Sequence, residues 1–192
     1  MLCILDFGSQ YTQLIARRLR GQGFSTEVLS GQLRAAEVLA RRPSGIILSG
    51  SPASVGSHVD PDPALLSCGV PLLGLCFGYQ YIASQLGGRV EASTHREYGA
   101  AQIEKTAAGR TDPLTARLSP RTQAWMSHGD SVVELPPGAV LLLSSAGKPA
   151  GFSLPQRQLW GLQFHPEFYH TPEGKIILES FARDICKQTP DW

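Results

Sequence analysis

The sequence predicts an α/β domain, a mostly parallel central sheet flanked by helices and continued by a mixed or antiparallel extension. Three observations carry that expectation. Short apolar runs alternate with helical patterns from Leu2 to Gly88. From Arg89 onward, strand-like runs follow one another, separated by Gly, Pro and Ser turns. An amphipathic pattern from Gly174 to Lys187 closes the chain. Strand–helix–strand alternation builds parallel sheets covered on both faces, whereas successive strands joined by tight turns pair antiparallel.

Taken in order, Leu2 to Phe7 reads as a buried strand that Gly8-Ser9 turns into a helix. In that helix Tyr11, Leu14, Ile15 and Leu19 form one apolar stripe at three-to-four spacing. Strands are expected near Thr26 to Leu29, Gly45 to Leu48 and Pro71 to Leu75. Helices are expected around Ala35 to Ala40 and from Gln80 to Leu86, the second stopped by Gly87-Gly88. The later strands are Arg89 to Glu104, Gln123 to Met126, Val132 to Glu134, Val140 to Ser144, Ala150 to Leu154 and Leu159 to Phe164. The closing helix places Ile177, Phe181 and Ile185 on one side. No repeat or interdomain linker interrupts this pattern, so residues 1–192 are expected to form one domain.

Composition narrows the function. Hydrophobic residues make up 42% and charged residues 17%, and 17 basic against 16 acidic side chains leave a net charge of +1. There is no basic stripe for nucleic acid and no polybasic membrane patch. The opening apolar run breaks at Asp6, too early for a signal peptide or a membrane span. Cys3, Cys68, Cys76 and Cys186 include no CxxC pair, which fits a reducing cytoplasm better than a disulfide framework or a metal site.

Cys76 has a distinctive setting. Gly74-Leu75-Cys76-Phe77-Gly78 runs from a strand into a helix with the form G-x-nucleophile-x-G. Such an elbow exposes the nucleophile on a strained turn, and its glycines let the backbone pack closely. A sulfur at a helix N-terminus is also favoured as thiolate, and the adjacent N–H groups suit a developing oxyanion. The other three cysteines lack this setting and read as packing residues. A thiol nucleophile needs a base, and Gln163-Phe164-His165-Pro166-Glu167 supplies a histidine at a strand end with a carboxylate two positions on. On an extended backbone His165 and Glu167 point to the same side, so Glu167 is the expected orienter of a Cys76–His165–Glu167 triad.

The elbow G-x-C-x-G-x-Q, completed by Gln80, together with the downstream Phe164-His165-Pro166-Glu167, resembles the class I (triad) glutamine amidotransferases, whose domain is flavodoxin-like. Ile4 to Tyr11, Arg96-Glu97-Tyr98-Gly99, Met126-Ser127-His128-Gly129-Asp130 and His170-Thr171-Pro172 are similar to the GMP synthetase branch. The resemblance spans Leu2 to about Ile185. It implies hydrolysis of L-glutamine to glutamate and ammonia through a thioester. The ammonia would pass to an XMP-activating ATP-pyrophosphatase unit, to which ATP and magnesium belong; this domain would hold no cofactor or metal of its own.

The resemblance also implies an oxyanion hole from Phe77 and Gly50 or Ser51, and contact of Gln80 with the bound substrate. Ser127, His128, Gly129 and Asp130 would grip its α-amino and α-carboxylate ends. Arg96, Glu97, Tyr98 and His170, with the neighbouring Thr171, are expected in polar turns at a surface facing the synthetase unit. Two departures stand out. Gly50-Ser51-Pro52 replaces the usual glycine-glycine-proline, which would impair the hole if position 51 requires positive φ. No S-G-G-x-D-S-like loop is present to activate a nucleotide, so the synthetase function lies elsewhere. The chain is then expected to be either a stand-alone glutaminase subunit or a domain of a longer enzyme, and the ending Thr189 to Trp192, just past the last helix, favours the second. The remaining alternatives are the glutaminase of an anthranilate or carbamoyl phosphate synthetase, a silent glutamine-binding paralogue, or a cysteine peptidase or γ-glutamyl hydrolase on a similar scaffold.

Overall fold

The computed structural model describes residues 1–192. Nine strands form one sheet in the order β2-β1-β3-β4-β9-β8-β7-β5-β6. Strands β1 (Leu2–Asp6), β2 (Thr26–Ser30), β3 (Gly45–Leu48), β4 (Leu72–Leu75) and β9 (Leu159–Leu162) are parallel neighbours. The other strands, β5 (Arg89–Lys105), β6 (Arg121–Glu134), β7 (Val140–Ser145) and β8 (Lys148–Leu154), continue it antiparallel. The expected parallel half and antiparallel extension are both present, and β9 joins them.

The parallel strands are apolar at nearly every position because both faces are covered. Side chains alternate between two cores. Leu2 and Ile4 of β1 face Ile15, Leu19, Ile177 and Phe181 of helices α1 (Thr12–Gly21) and α4 (Gly174–Glu179) with its continuation. Cys3 and Leu5 face Val38 of α2 (Ala35–Leu39) and Tyr79 and Ile82 of α3 (Phe77–Gln85). Each buried Leu, Ile or Phe contributes about 1.5–3 kcal/mol of transfer free energy. The order turns at β1: β2 lies on one side and β3, β4 and β9 on the other. In such sheets a crevice opens at the carboxyl ends of the strands.

Three local expectations are corrected. Helix α3 starts at Phe77, directly after Cys76, rather than at Gln80. Gln123 to Met126 and Val132 to Glu134 are not two strands around a polar turn; β6 runs unbroken from Arg121 to Glu134 through Ser127–Asp130, paired along its length with β5. The closing helix is α-helical only to Glu179 and continues as π-helix over Ser180–Ile185. Its apolar residues Ile177 and Phe181 are nevertheless buried as the pattern requires.

Gly174, at the start of α4, meets the loop that carries His165 and Glu167. A Cβ there would lie 1.8 Å from the carbonyl oxygen of Pro166, a backbone atom that cannot rotate away. Gly21 in α1 has nothing within 4 Å of its Cβ position. We therefore expect Gly174→Ala to lower folding stability by about 1–3 kcal/mol or more, and Gly21→Ala to be neutral or to add up to about 1 kcal/mol. Urea unfolding of both variants measures the difference.

Candidate active site

Four loops meet at the carboxyl end of the parallel sheet, one each after β1, β3, β4 and β9. The β4 loop is a single residue. Cys76 has φ +53° and ψ −101°, a left-handed conformation that a side-chain-bearing residue adopts at a cost of about 1–3 kcal/mol. The flanking glycines show why the turn can be so tight. A Cβ on Gly74 would lie 2.5 Å from the Gly78 carbonyl, and one on Gly78 would lie 2.7 Å from Leu48. The backbone N–H of Cys76 donates to the Leu162 carbonyl at 2.8 Å, which ties the elbow to β9.

Beyond β9 the chain folds back instead of continuing extended. Phe168 N–H donates to the His165 carbonyl at 3.3 Å, so Pro166 and Glu167 occupy a turn. The extended-strand reasoning for this pair is thereby corrected, yet the two side chains do meet: His165 Nδ1 lies 2.7 Å from Glu167 Oε1. Both are buried, with 3% and 0% of their side-chain surfaces exposed. Burial pushes the His165 imidazolium toward neutrality, but the Glu167 carboxylate outweighs it. With a contribution from the Cys76 thiol alongside, the His165 pKa stands well above the ordinary histidine value.

Several residues to which the sequence assigned no role at this site surround it. Tyr11 packs edge-on against the imidazole at 5.0 Å between ring centres. Arg18 Nε donates to the Glu167 carbonyl at 3.1 Å. Thr171, expected at the surface, is buried; its hydroxyl donates to the His165 carbonyl at 2.8 Å and accepts from Trp125 N–H at 2.9 Å. Gln163 Nε2 donates to Cys76 Sγ at 3.8 Å, and Gln80 Nε2 donates to Gln163 Oε1 at 3.4 Å and to the Asp130 carbonyl at 2.9 Å. The only sequence signal for Gln163 is its place two residues before His165 at a strand end.

Cys76 and His165 open into a cavity of about 520 Å³, whose wall also contains Ser51, Gln80 and Ser127–Asp130. Cys76 Sγ donates to the Ser127 carbonyl at 3.5 Å. Ser51 has no positive φ, so its side chain strains nothing, and its hydroxyl accepts from Ala53 N–H at 3.1 Å. Its own N–H donates to no group in the chain, and that of Phe77, at the first turn of α3, has no partner within the helix. Gly50 faces the histidine: a Cβ there would lie 3.2 Å from His165 Cε1.

The expected docking residues divide. Arg96 and Tyr98 lie in β5, not in a turn, and line the Cys76 cavity. Glu97 points the other way, 3.5 Å from His128 Nε2 and 3.6 Å from Lys148 Nζ. His128 is buried, its Nδ1 lies 2.7 Å from the Asp130 carbonyl, and burial lowers its pKa despite that contact. His170 stacks on Trp125 at 4.8 Å in a cluster with Phe168 and Tyr169.

A strained cysteine after a parallel strand and a buried His–Glu pair border one cavity. The family model for glutamine amidotransferase class-I matches residues 3–185. The chain belongs to this family. Its relatives include the GMP synthase (glutamine-hydrolyzing) of Syntrophomonas wolfei, 44% identical over 98% of this chain and 37% of that protein. That of Methylococcus capsulatus is 46% identical over 100% of this chain and 38% of that protein. The amidotransferase chain thus spans somewhat over a third of the length of these relatives. The crystal structure of a Thermoplasma acidophilum protein, described as one subunit of a GMP synthase, superimposes with a TM-score of 0.84 at 27% identity. That match covers 97% of this chain and 93% of the other.

The raised His165 pKa has a defined consequence. Its folded value lies above the unfolded value of about 6.5, so the stabilisation is fully present below that pH and is lost as pH rises through the folded value. Histidine resonances followed by NMR should show His165 titrating well above the ordinary range, and Glu167→Gln should bring it down. An unchanged His165 titration in that variant would mean that Glu167 does not control it.

Proposed function

We propose that the amidotransferase chain is the glutamine-hydrolysing portion of a GMP synthase. Cys76 acts as nucleophile, His165 as proton carrier and Glu167 as orienter. The observation that carries the reading is a positive-φ Cys76 that shares one cavity with His165 of the buried His165–Glu167 pair. The GMP synthase relatives supply the branch.

In this reading the Cys76 thiolate attacks the side-chain amide carbon of L-glutamine. The resulting oxyanion is held by the N–H groups of Phe77 and of Ser51 or Gly50. As the C–N bond breaks, the protonated His165 gives its proton to the departing nitrogen, releasing ammonia and leaving a γ-glutamyl thioester on Cys76. Neutral His165 then takes a proton from water as the oxygen attacks the thioester. Glutamate leaves, and the thiolate–imidazolium pair is restored. Glu167 stabilises the imidazolium form, which the raised His165 pKa favours before the first step. The ammonia passes to an ATP-pyrophosphatase unit that activates XMP, where ATP and magnesium act; the chemistry here requires no cofactor or metal. The cytoplasm, which supplies glutamine and keeps thiols reduced, is the matching compartment. No helix is long and apolar enough to cross a membrane.

Ammonia release from glutamine, measured for the amidotransferase chain with and without a synthetase unit, ATP and XMP, tests the proposal. Cys76→Ser and His165→Ala should each lower kcat on the order of 10⁴-fold or more, and Glu167→Ala by a smaller factor. Full activity in Cys76→Ser would remove the thioester route, and failure of an XMP-activating unit to use the ammonia would remove the GMP synthase assignment.

A further inference from the structure

Arg96, grouped from the sequence with docking residues, is solvent-exposed and lies on the wall of the Cys76 cavity. The β5–β6 ladder explains how. Ala92 pairs with Asp130 and Glu97 with His128, so Ser93 to Arg96 bulge opposite the single residue Gly129. A bulge re-aims side chains and commonly borders functional sites. Arg96 is carried back across Gly129, with its Nε 3.5 Å, its Cγ 3.6 Å and its Cδ 3.8 Å from the glycine's Cβ position. Period-two alternation then turns Arg96 and Tyr98 toward the cavity and Glu97 away from it.

The charge inventory of the cavity points to the ligand. Its lining carries one carboxylate, Asp130, and one guanidinium, Arg96, besides His165, whose charge Glu167 balances, and the buried His128, which desolvation keeps toward neutral. Neither Arg96 nor Asp130 takes part in any ion pair of the chain, and neighbouring Glu97 is already engaged by Lys148 and His128. One unpaired cation and one unpaired anion on the wall beyond the nucleophile are complementary to an amino-acid zwitterion.

The geometry points to Arg96 as the ligand of the substrate's α-carboxylate, acting opposite Asp130 at the α-ammonium. The pair forms a clamp that selects a free α-amino acid over other primary amides. This rests on the glutaminase reading and adds the source of its specificity. A guanidinium suits the task because it meets a carboxylate with two parallel N–H donors and stays charged at any physiological pH.

Three amides separate the contributions: glutamine, 4-aminobutanamide, which lacks the α-carboxylate, and glutaramate, which lacks the α-ammonium. A hydrogen bond to a charged group contributes about 1.5–3 kcal/mol, equivalent to roughly 10- to 150-fold. Arg96→Ala should therefore lower kcat/KM for glutamine by about that factor, chiefly through KM. It should lower the value for glutaramate similarly and leave 4-aminobutanamide unchanged. Asp130→Asn should spare glutaramate instead, and Arg96→Lys should recover part of the loss. If Arg96→Ala leaves glutamine turnover unchanged, or impairs glutamine and 4-aminobutanamide equally, Arg96 does not bind the carboxylate. Either result is distinct from failure of the glutaminase reading, in which the unaltered chain would release no ammonia from glutamine with or without its synthetase unit.

Discussion

The strained backbone at Cys76 is the constraint on which the rest of the site depends. A parallel strand can hand over to a helix in one residue only if that residue takes positive φ and its neighbours give up their side chains. Gly74 and Gly78 do so, against contacts of 2.5 and 2.7 Å that a Cβ would make. The strain is held by elements that cannot yield: β4 is buried between β3 and β9, and α3 is anchored through Tyr79 and Ile82. Its product is a thiol at the head of a helix, presented at the carboxyl edge of the sheet.

The second half of the site depends on a different device. The His165 loop leaves β9 and is fastened to β6 by two bonds through Thr171 and by His165 N–H donating to the Trp125 carbonyl at 3.1 Å. The antiparallel extension therefore does more than widen the sheet. β6 supports the histidine with Trp125, borders the sulfur with Ser127 and presents Asp130 to the cavity, all within one strand. A continuous strand holds such positions more rigidly than a loop does.

Much of this was legible in the sequence, for identifiable reasons. The Cys76 elbow is written in a five-residue pattern whose glycines are sterically required. The parallel half was legible because strands buried on both faces are apolar throughout, as Gly45–Leu48 illustrates. Ser127–Asp130 misled because its composition is that of a turn, whereas pairing with β5 holds it extended; local preference yielded to tertiary hydrogen bonding. His165 and Glu167 were matched correctly from a backbone geometry the chain does not use, since a turn also brings them together. The helical pattern alone put the start of α3 at Gln80 because Phe77 and Gly78 are poor helix formers, whereas the elbow motif, which sets Cys76 at a helix N-terminus, located the observed start. Thr171 and Arg96 were illegible as site residues: one acts through contacts distant in sequence, and the other is redirected by a bulge that no composition signals.

The central claim is that Cys76 carries the substrate as a covalent intermediate. Acid quenching during steady-state turnover of glutamine, followed by intact-mass and peptide mass spectrometry, tests it directly. The account predicts a γ-glutamyl adduct on the peptide containing Cys76, absent in Cys76→Ser and accumulating if the later attack of water is slower than release of ammonia. Turnover in Cys76→Ser, or an adduct on Cys3, Cys68 or Cys186 with Cys76 unmodified, would contradict it.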